Sequence, residues 1–215
     1  MPKIGVFDSG VGGLSVVEAI KKAFPAADVI FKNDTQHVPY GSKPPAEIYS
    51  YVLPILNTLS NDGCDVIVVA CNTVSTTLID QLRAALPKTP LVAMEPMVKP
   101  AAGQTKSQVI AVCATPTTLA SDRYQWLKAE YAKGVKVLEP DCSQWSAMIE
   151  ANQVDKQKIA ASIDQVCAQG ADVIVLGCTH YHWIEDVITA AAAGRATVLQ
   201  PEQPVIRQLA SLLKP

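Results

Sequence analysis

Two of the six cysteines stand in matching surroundings, Ala70-Cys71-Asn72-Thr73 and Gly177-Cys178-Thr179-His180. Each follows a run of Val, Ile and Leu that reads as a buried strand, and each precedes hydroxyl or amide residues that open a helix or loop. A thiol at a helix N-terminus meets the positive end of the backbone dipole, which lowers its pKa and favours the reactive thiolate. Alone, such a cysteine reads as a nucleophile or, more often, as a small buried hydrophobe. Two of them facing one substrate carbon supply a base and an acid on opposite sides: one thiolate takes an α-proton while the other thiol returns a proton to the far face. A modestly lowered thiol pKa, near ambient pH, suits that work. A redox dithiol fits less well, because such pairs are closely spaced and these two lie 107 residues apart, at 71 and 178. Cys178-Thr179-His180-Tyr181-His182 with Cys71 could offer zinc four ligands, but the paired Cys spacings of a structural zinc site are missing.

The strands that would carry these thiols belong to an alternating pattern. Short β-branched runs at Lys3–Phe7, Val29–Lys32, Val66–Ala70, Leu91–Met94, Val109–Cys113, Val135–Leu138, Val173–Leu176 and Thr197–Leu199 predict eight strands. Amphipathic stretches at Leu14–Phe24, Ala46–Asn61, Ser75–Leu86, Thr118–Tyr131, Lys156–Gln169, Trp183–Ala192 and Val205–Leu213 predict helices between and after them. Such alternation argues for parallel sheets with helices on both faces. Pro44-Pro45 reads as a helix start, Pro54 should kink or split its helix, and Ala190–Ala193 closed by Gly194 reads as a helix end.

The two halves also resemble each other. The segment 63–73 aligns with 170–180 at an offset of 107, and Ile4-Gly5-Val6-Phe7-Asp8-Ser9 aligns with Ile110-Ala111-Val112-Cys113-Ala114-Thr115 at 106. Gly, Asp and Cys match as well as Val and Ile, so the pattern predicts a duplicated α/β domain: two flavodoxin-like units, each a four-stranded parallel sheet flanked by helices. The proline-rich stretch Glu95–Gly103 marks the boundary. Residues 1–96 with 202–215 form the first expected domain, and 97–201 the second. Ligands of open parallel sheets bind at the C-terminal strand ends, which puts both thiols at a shared cleft.

Asp8-Ser9-Gly10-Val11-Gly12-Gly13 offers a different reading. Gly10 and Gly12, with Ser15 in the third place and Asp34 after strand two, approach a dinucleotide fingerprint, the mark of a nucleotide-binding oxidoreductase. Otherwise the glycines read as a tight turn needing positive φ. A non-catalytic ligand-binding module is a third class. Composition is globular, 49% hydrophobic and 18% charged, with a net charge of −2 and no basic run, so neither nucleic acid nor an anionic membrane surface is an expected partner. Asp8 comes too early for a signal peptide and no apolar run approaches the ~20 residues of a bilayer span, so a soluble cytoplasmic protein with free thiols is expected. His37 reads as a solvated or substrate-side loop residue, His182 as a surface residue, and Trp126, Trp145 and Trp183 as core or interface.

Taken together, Ile4-Gly5-Val6-Phe7-Asp8-Ser9-Gly10-Val11-Gly12-Gly13-Leu14, Asn33-Asp34-Thr35 with Val38-Pro39-Tyr40-Gly41, Ala70-Cys71-Asn72-Thr73 and Gly177-Cys178-Thr179-His180-Tyr181 resemble the aspartate/glutamate racemase family, and its glutamate-using members most. The resemblance implies cofactor-independent interconversion of L- and D-glutamate, with aspartate or another small acid as the alternative substrate, in the supply of D-glutamate for peptidoglycan. It implies no pyridoxal phosphate, no metal, and a homodimer as the common assembly. By motif, Cys71 and Cys178 would transfer the protons, with Asp8 assisting nearer Cys71 and His180 beside Cys178. Ser9, Pro39, Tyr40, Gly41, Asn72, Thr73, Thr118 and Thr179 would hold the substrate. Asp34 and Glu150 fall at family acidic positions in supporting roles. The chain departs from the family pattern at Asn33, Ser143, Asn152, His182 and Gln200, all near the second-domain rim or the side-chain pocket.

Overall fold

The structure is a computed structural model that describes residues 1–213; Lys214 and Pro215, part of the expected first domain, lie outside the described residues. Among the described residues, eight strands form two sheets. β1 (Lys3–Asp8), β2 (Asp28–Asn33), β3 (Val66–Val69) and β4 (Leu91–Ala93) stand in the order β2-β1-β3-β4. β5 (Val109–Ala114), β6 (Lys136–Leu138), β7 (Val173–Gly177) and β8 (Thr197–Leu199) repeat it as β6-β5-β7-β8. Every pairing is parallel. Buried on both faces, the central strands are uninterrupted apolar runs; Val66 to Val69 are all buried, as are Val173 to Gly177.

Among the described residues, ten α-helices cover the sheets: α1 (Leu14–Ala23), α2 (Pro45–Asn61), α3 (Asn72–Ala85), α4 (Val98–Gln104), α5 (Pro116–Ala120), α6 (Asp122–Tyr131), α7 (Trp145–Glu150), α8 (Lys156–Ala168), α9 (Glu185–Ala192) and α10 (Glu202–Leu212). None is long and apolar enough to cross a membrane, among the described residues. Each sheet has an apolar cluster on either face. Val205 and Leu209 of α10 pack into the cluster holding Ile4, Val6 and Val68, while Val98 and Ala101 of α4 join Ile110, Val112 and Val175. The chain therefore returns to its first sheet after finishing its second.

Several local expectations need correcting. Pro54 does not split α2, which runs unbroken for 17 residues. The stretch Thr118–Tyr131 is two helices, because Ser121 leaves the helical conformation to cap α6, its hydroxyl accepting from the Tyr124 N–H. Part of the supposed linker is a helix, α4, with Pro100 in its first turn where no backbone donor is needed. Helix α7 was not foreseen; only six residues long, it leaves too short a period to read. Trp145 is core, whereas Trp126 and Trp183 are about half exposed.

Candidate active site

In a doubly wound sheet the crevice opens where the chain order reverses, here between β1 and β3 and between β5 and β7. The residues at those four strand ends are Asp8-Ser9, Ala70-Cys71, Ala114-Thr115 and Gly177-Cys178, and the two crevices face each other. One cavity is lined by Ser9, Pro39, Tyr40, Gly41, Cys71, Asn72, Thr73, Thr115, Ser146, Cys178, Thr179 and His180. Both expected proton carriers thus border one space, from opposite halves of the chain.

Cys71 caps α3 and is 5% exposed; its thiol donates to the Ser9 hydroxyl at 3.6 Å. Its helix-end position does not lower its pKa as expected. Burial, and then the Asp8 charge, push the thiol up to about 12, outweighing the help from the Val74 N–H and Ser9. Asp8 is fully buried, and burial raises its carboxyl too. Its Oδ2 accepts from the N–H of Gly13 at 2.7 Å, and its Oδ1 from the Thr179 hydroxyl at 3.2 Å. Asp8 is thus tied to the Cys178 side of the cleft as well as to its own loop.

Cys178 directly follows β7 beside His180, with Nδ1 at 3.7 Å from its sulfur. Nε2 of His180 meets Glu150 Oε1 at 2.5 Å, and the same oxygen accepts from the Val11 N–H at 3.2 Å. Burial works against a charged imidazole at His180, but the Cys178 sulfur and the Glu150 carboxylate outweigh it and raise the pKa to about 11. The pairing with His180 in turn lowers the Glu150 carboxyl. A thiol, an imidazole and a carboxylate stand in line, and Glu150, of undefined role in the sequence, lies directly behind His180.

Asn72 carries a separate message. It is 2% exposed, borders the cavity, and neither its amide nitrogen nor its oxygen has a hydrogen-bond partner among the described residues. Buried polar groups are nearly always paired, so an orphan amide in a cleft is positioned for a ligand. Thr73 instead meets Thr115 at 3.0 Å and Thr118 at 3.3 Å. Thr118 is fully buried a layer behind the cavity wall, and Thr115 lines the wall in its place. Thr115 was legible as the repeat partner of Ser9, at the end of β5. Ser146 had no such signal, because it rides on the unforeseen α7; its hydroxyl is 3.5 Å from the Cys178 sulfur.

Asp34 does not border the cavity. It accepts from the Tyr40 hydroxyl at 2.6 Å and lies 2.8 Å from His37 Nδ1, holding the Pro39–Gly41 wall from behind. His37 stacks on Tyr51, with ring centres 3.8 Å apart. His182 turns away from Cys178 to Gln200, at 3.0 Å, so the four candidate zinc ligands do not converge among the described residues.

The glycine loop is neither a phosphate cradle nor a positive-φ turn. The positive-φ glycines are Gly63, Gly134, Gly170 and Gly194. A Cβ on Gly12 would stand 2.6 Å from the His180 nitrogen and from the Thr179 hydroxyl, and one on Gly10 would strike Glu150. These glycines let the other half of the molecule approach, filling the place a pyrophosphate would need.

Comparison with known proteins agrees with this geometry. Glutamate racemase from Pseudomonas entomophila is 38% identical over 214 residues, 98% of this chain and 81% of that protein. The enzyme of the same name from Herpetosiphon aurantiacus is also 38% identical, over 98% of this chain and 84% of its own. Among solved structures, Escherichia coli glutamate racemase, in complex with L-glutamate and the activator UDP-MurNAc-Ala, matches with a TM-score of 0.85 at 27% identity, covering 99% of this chain and 82% of that one. Francisella tularensis glutamate racemase, with D-glutamate, matches with a TM-score of 0.81 at 27% identity, covering 99% and 81%. Residues 4–209 match the family described as Asp/Glu/Hydantoin racemase, and the chain, with both cysteines lining one cleft, belongs to that family.

Proposed function

We propose that the protein is a glutamate racemase that inverts Cα by two-thiol proton transfer between Cys71 and Cys178, serving D-glutamate supply for peptidoglycan. The observation that carries this is the placement of both sulfurs on one cavity wall set, each at the end of an equivalent strand. One sulfur, as thiolate, takes the α-proton and leaves a carbanion. The opposite thiol protonates that carbanion from the other face. The enzyme is left with its two protonation states exchanged, ready for the opposite enantiomer. With its thiol raised, Cys71 enters the cycle as the acid, and His180 keeps its own proton beside Cys178.

Each remaining group has a task in that reading. The Asn72 amide takes the substrate's α-carboxylate, with Thr73 and Thr179 bordering the same end of the cavity. The backbone N–H of Gly41 and the Ser9 hydroxyl suit the distal carboxylate, with the Tyr40 ring, held by Asp34, walling that end. Asp8 lies behind the Ser9 wall, outside the cavity lining, and its charge acts on the Cys71 thiol, whose pKa a bound α-ammonium draws down towards the working range. His180, backed by Glu150, stabilises the Cys178 thiolate. Thr118 and Asp34 support these walls from behind. In this reading residues 1–96 with 202–213 form one half and 97–201 the other, and the protein works as a cytoplasmic homodimer.

The test is incubation with D-glutamate, L-glutamate and D-aspartate in deuterated water without added cofactor. Loss of optical rotation with deuterium at Cα is expected from both glutamates, and much more slowly from D-aspartate. Deuterium-free, optically stable substrate in all three would sink the proposal; faster turnover of aspartate would reassign the substrate.

A further inference from the structure

Resting on the two-thiol reading, the geometry points to Ser146 as a positioning residue for Cys178, the counterpart of what Ser9 does for Cys71. The sulfur of Cys71 lies 3.6 Å from the Ser9 hydroxyl, and that of Cys178 lies 3.5 Å from the Ser146 hydroxyl. Both serines are buried and both border the cavity. Each reactive sulfur therefore has one hydroxyl within hydrogen-bond reach that can accept from the thiol and, by rotating, donate to the thiolate.

The internal duplication does not supply this match. Ser9 follows β1, and the equivalent residue after β5 is Thr115. Thr115 is committed elsewhere: its hydroxyl meets Thr73 and Thr118 and caps α5. The second half would leave Cys178 without a hydroxyl partner, and α7 provides one from outside the repeated segments. Ser146 and Glu150 stand four residues apart on α7, hence on one face. The first reaches the sulfur of Cys178 and the second reaches the imidazole of His180. A single turn of helix sets both neighbours of the second proton carrier. Trp145, packed edge-on against Tyr181 in the core, and the Tyr181 hydroxyl, donating to the Cys142 carbonyl, anchor that turn.

A racemase has an equilibrium constant of one, so kcat/KM must fall equally in both directions whichever thiol is disturbed. The test therefore reads each sulfur separately. Ser146→Ala and Ser146→Thr are compared with the unaltered protein in two assays. In the first, iodoacetamide labelling at pH 8 is followed for each cysteine by peptide mass spectrometry. Ser146→Ala should slow labelling of Cys178 by about threefold or more and leave Cys71 unchanged, while Ser146→Thr, which keeps the hydroxyl, should label Cys178 at close to the original rate. In the second, Ser146→Ala should lower kcat about tenfold, the loss of one hydrogen bond to a charged group, with KM within about twofold. Labelling of Cys178 at the original rate in Ser146→Ala, or Ala and Thr variants that behave alike, would overturn the inference. If the unaltered protein fails to racemise glutamate, the proposed function falls, and the labelling assay still decides the role of Ser146.

Discussion

At Asn72 a buried amide with no partner sits on the cavity wall, and its chemistry argues for a ligand group that completes it. Asn72→Ala should raise KM for glutamate about tenfold or more, since a hydrogen bond to a charged group is lost; a steady-state assay in both directions checks it. Cys71→Ser and Cys178→Ser should each abolish racemisation, yet each should still exchange the α-proton of one enantiomer with deuterated solvent, seen by proton NMR. Loss of exchange with both enantiomers in either variant would contradict the two-base scheme. The pH dependence follows from two raised groups. Cys71 rises from its ordinary value of 9.0 to about 12, and His180 from 6.5 to about 11. The folded chain holds both protons more tightly than the unfolded chain. Their contribution to stability is complete below the unfolded values and is lost as pH rises through the folded ones. Melting temperature should therefore fall between pH 8 and pH 11, and fall less steeply in Cys71→Ser. An equal slope in the two proteins would show that Cys71 titrates as in the unfolded chain.

At the scale of elements, the loop after β1 was the place where composition and structure parted. Its glycines match a nucleotide fingerprint by type, but their reason is close approach to Thr179, His180 and Glu150. Gly12→Ala should lower kcat/KM by about a hundredfold or more while the far-ultraviolet circular dichroism stays unchanged, because the added carbon holds two packed surfaces apart without touching either core. Gly103 is the contrast: it lies in α4 with open space around it and an ordinary φ. Gly103→Ala should raise unfolding free energy by about 0.5–1 kcal/mol in urea titration and leave kinetics unaltered. The strands were legible because burial on both faces demands uninterrupted Val and Ile. The short helices α4, α5 and α7 were not, since five to seven residues carry less than two turns of periodicity.

At the scale of the whole molecule, the two halves are closed on each other. The cavity between the thiols is about 10 Å³, enough for roughly one water and too small for an amino acid. Hydrogen bonds cross the seam at Thr117 to Gly41, Thr73 to Thr115, Thr179 to Asp8 and Val11 to Glu150. A space of that size admits glutamate only once its walls shift, and a ligand bound there favours the closed arrangement only by its differential affinity for that state. Saturating D-glutamate should slow alkylation of both Cys71 and Cys178 by about tenfold or more, with Cys64, buried in the first sheet's cluster, unaffected as the internal control. Equal protection at Cys64 would indicate a general loss of reagent access rather than occupation of the cleft.

What the sequence by itself determined is whatever depends on local pattern and repetition: two parallel α/β units, and a reactive thiol at the end of the third strand of each. Those follow from periodicity, β-branched runs and a constant offset, all readable along one dimension. Only the tertiary structure decided the charge states and the partners. Cys71 sits at a helix end that would lower its pKa in isolation, but burial against Asp8 outweighs the dipole. Asp8 touches Thr179, Glu150 touches Val11, and Thr115 rather than Thr118 faces the cavity, because these contacts join segments scores of residues apart. Desolvation and cross-cleft contact belong to the packed molecule, and no spacing along the chain encodes them.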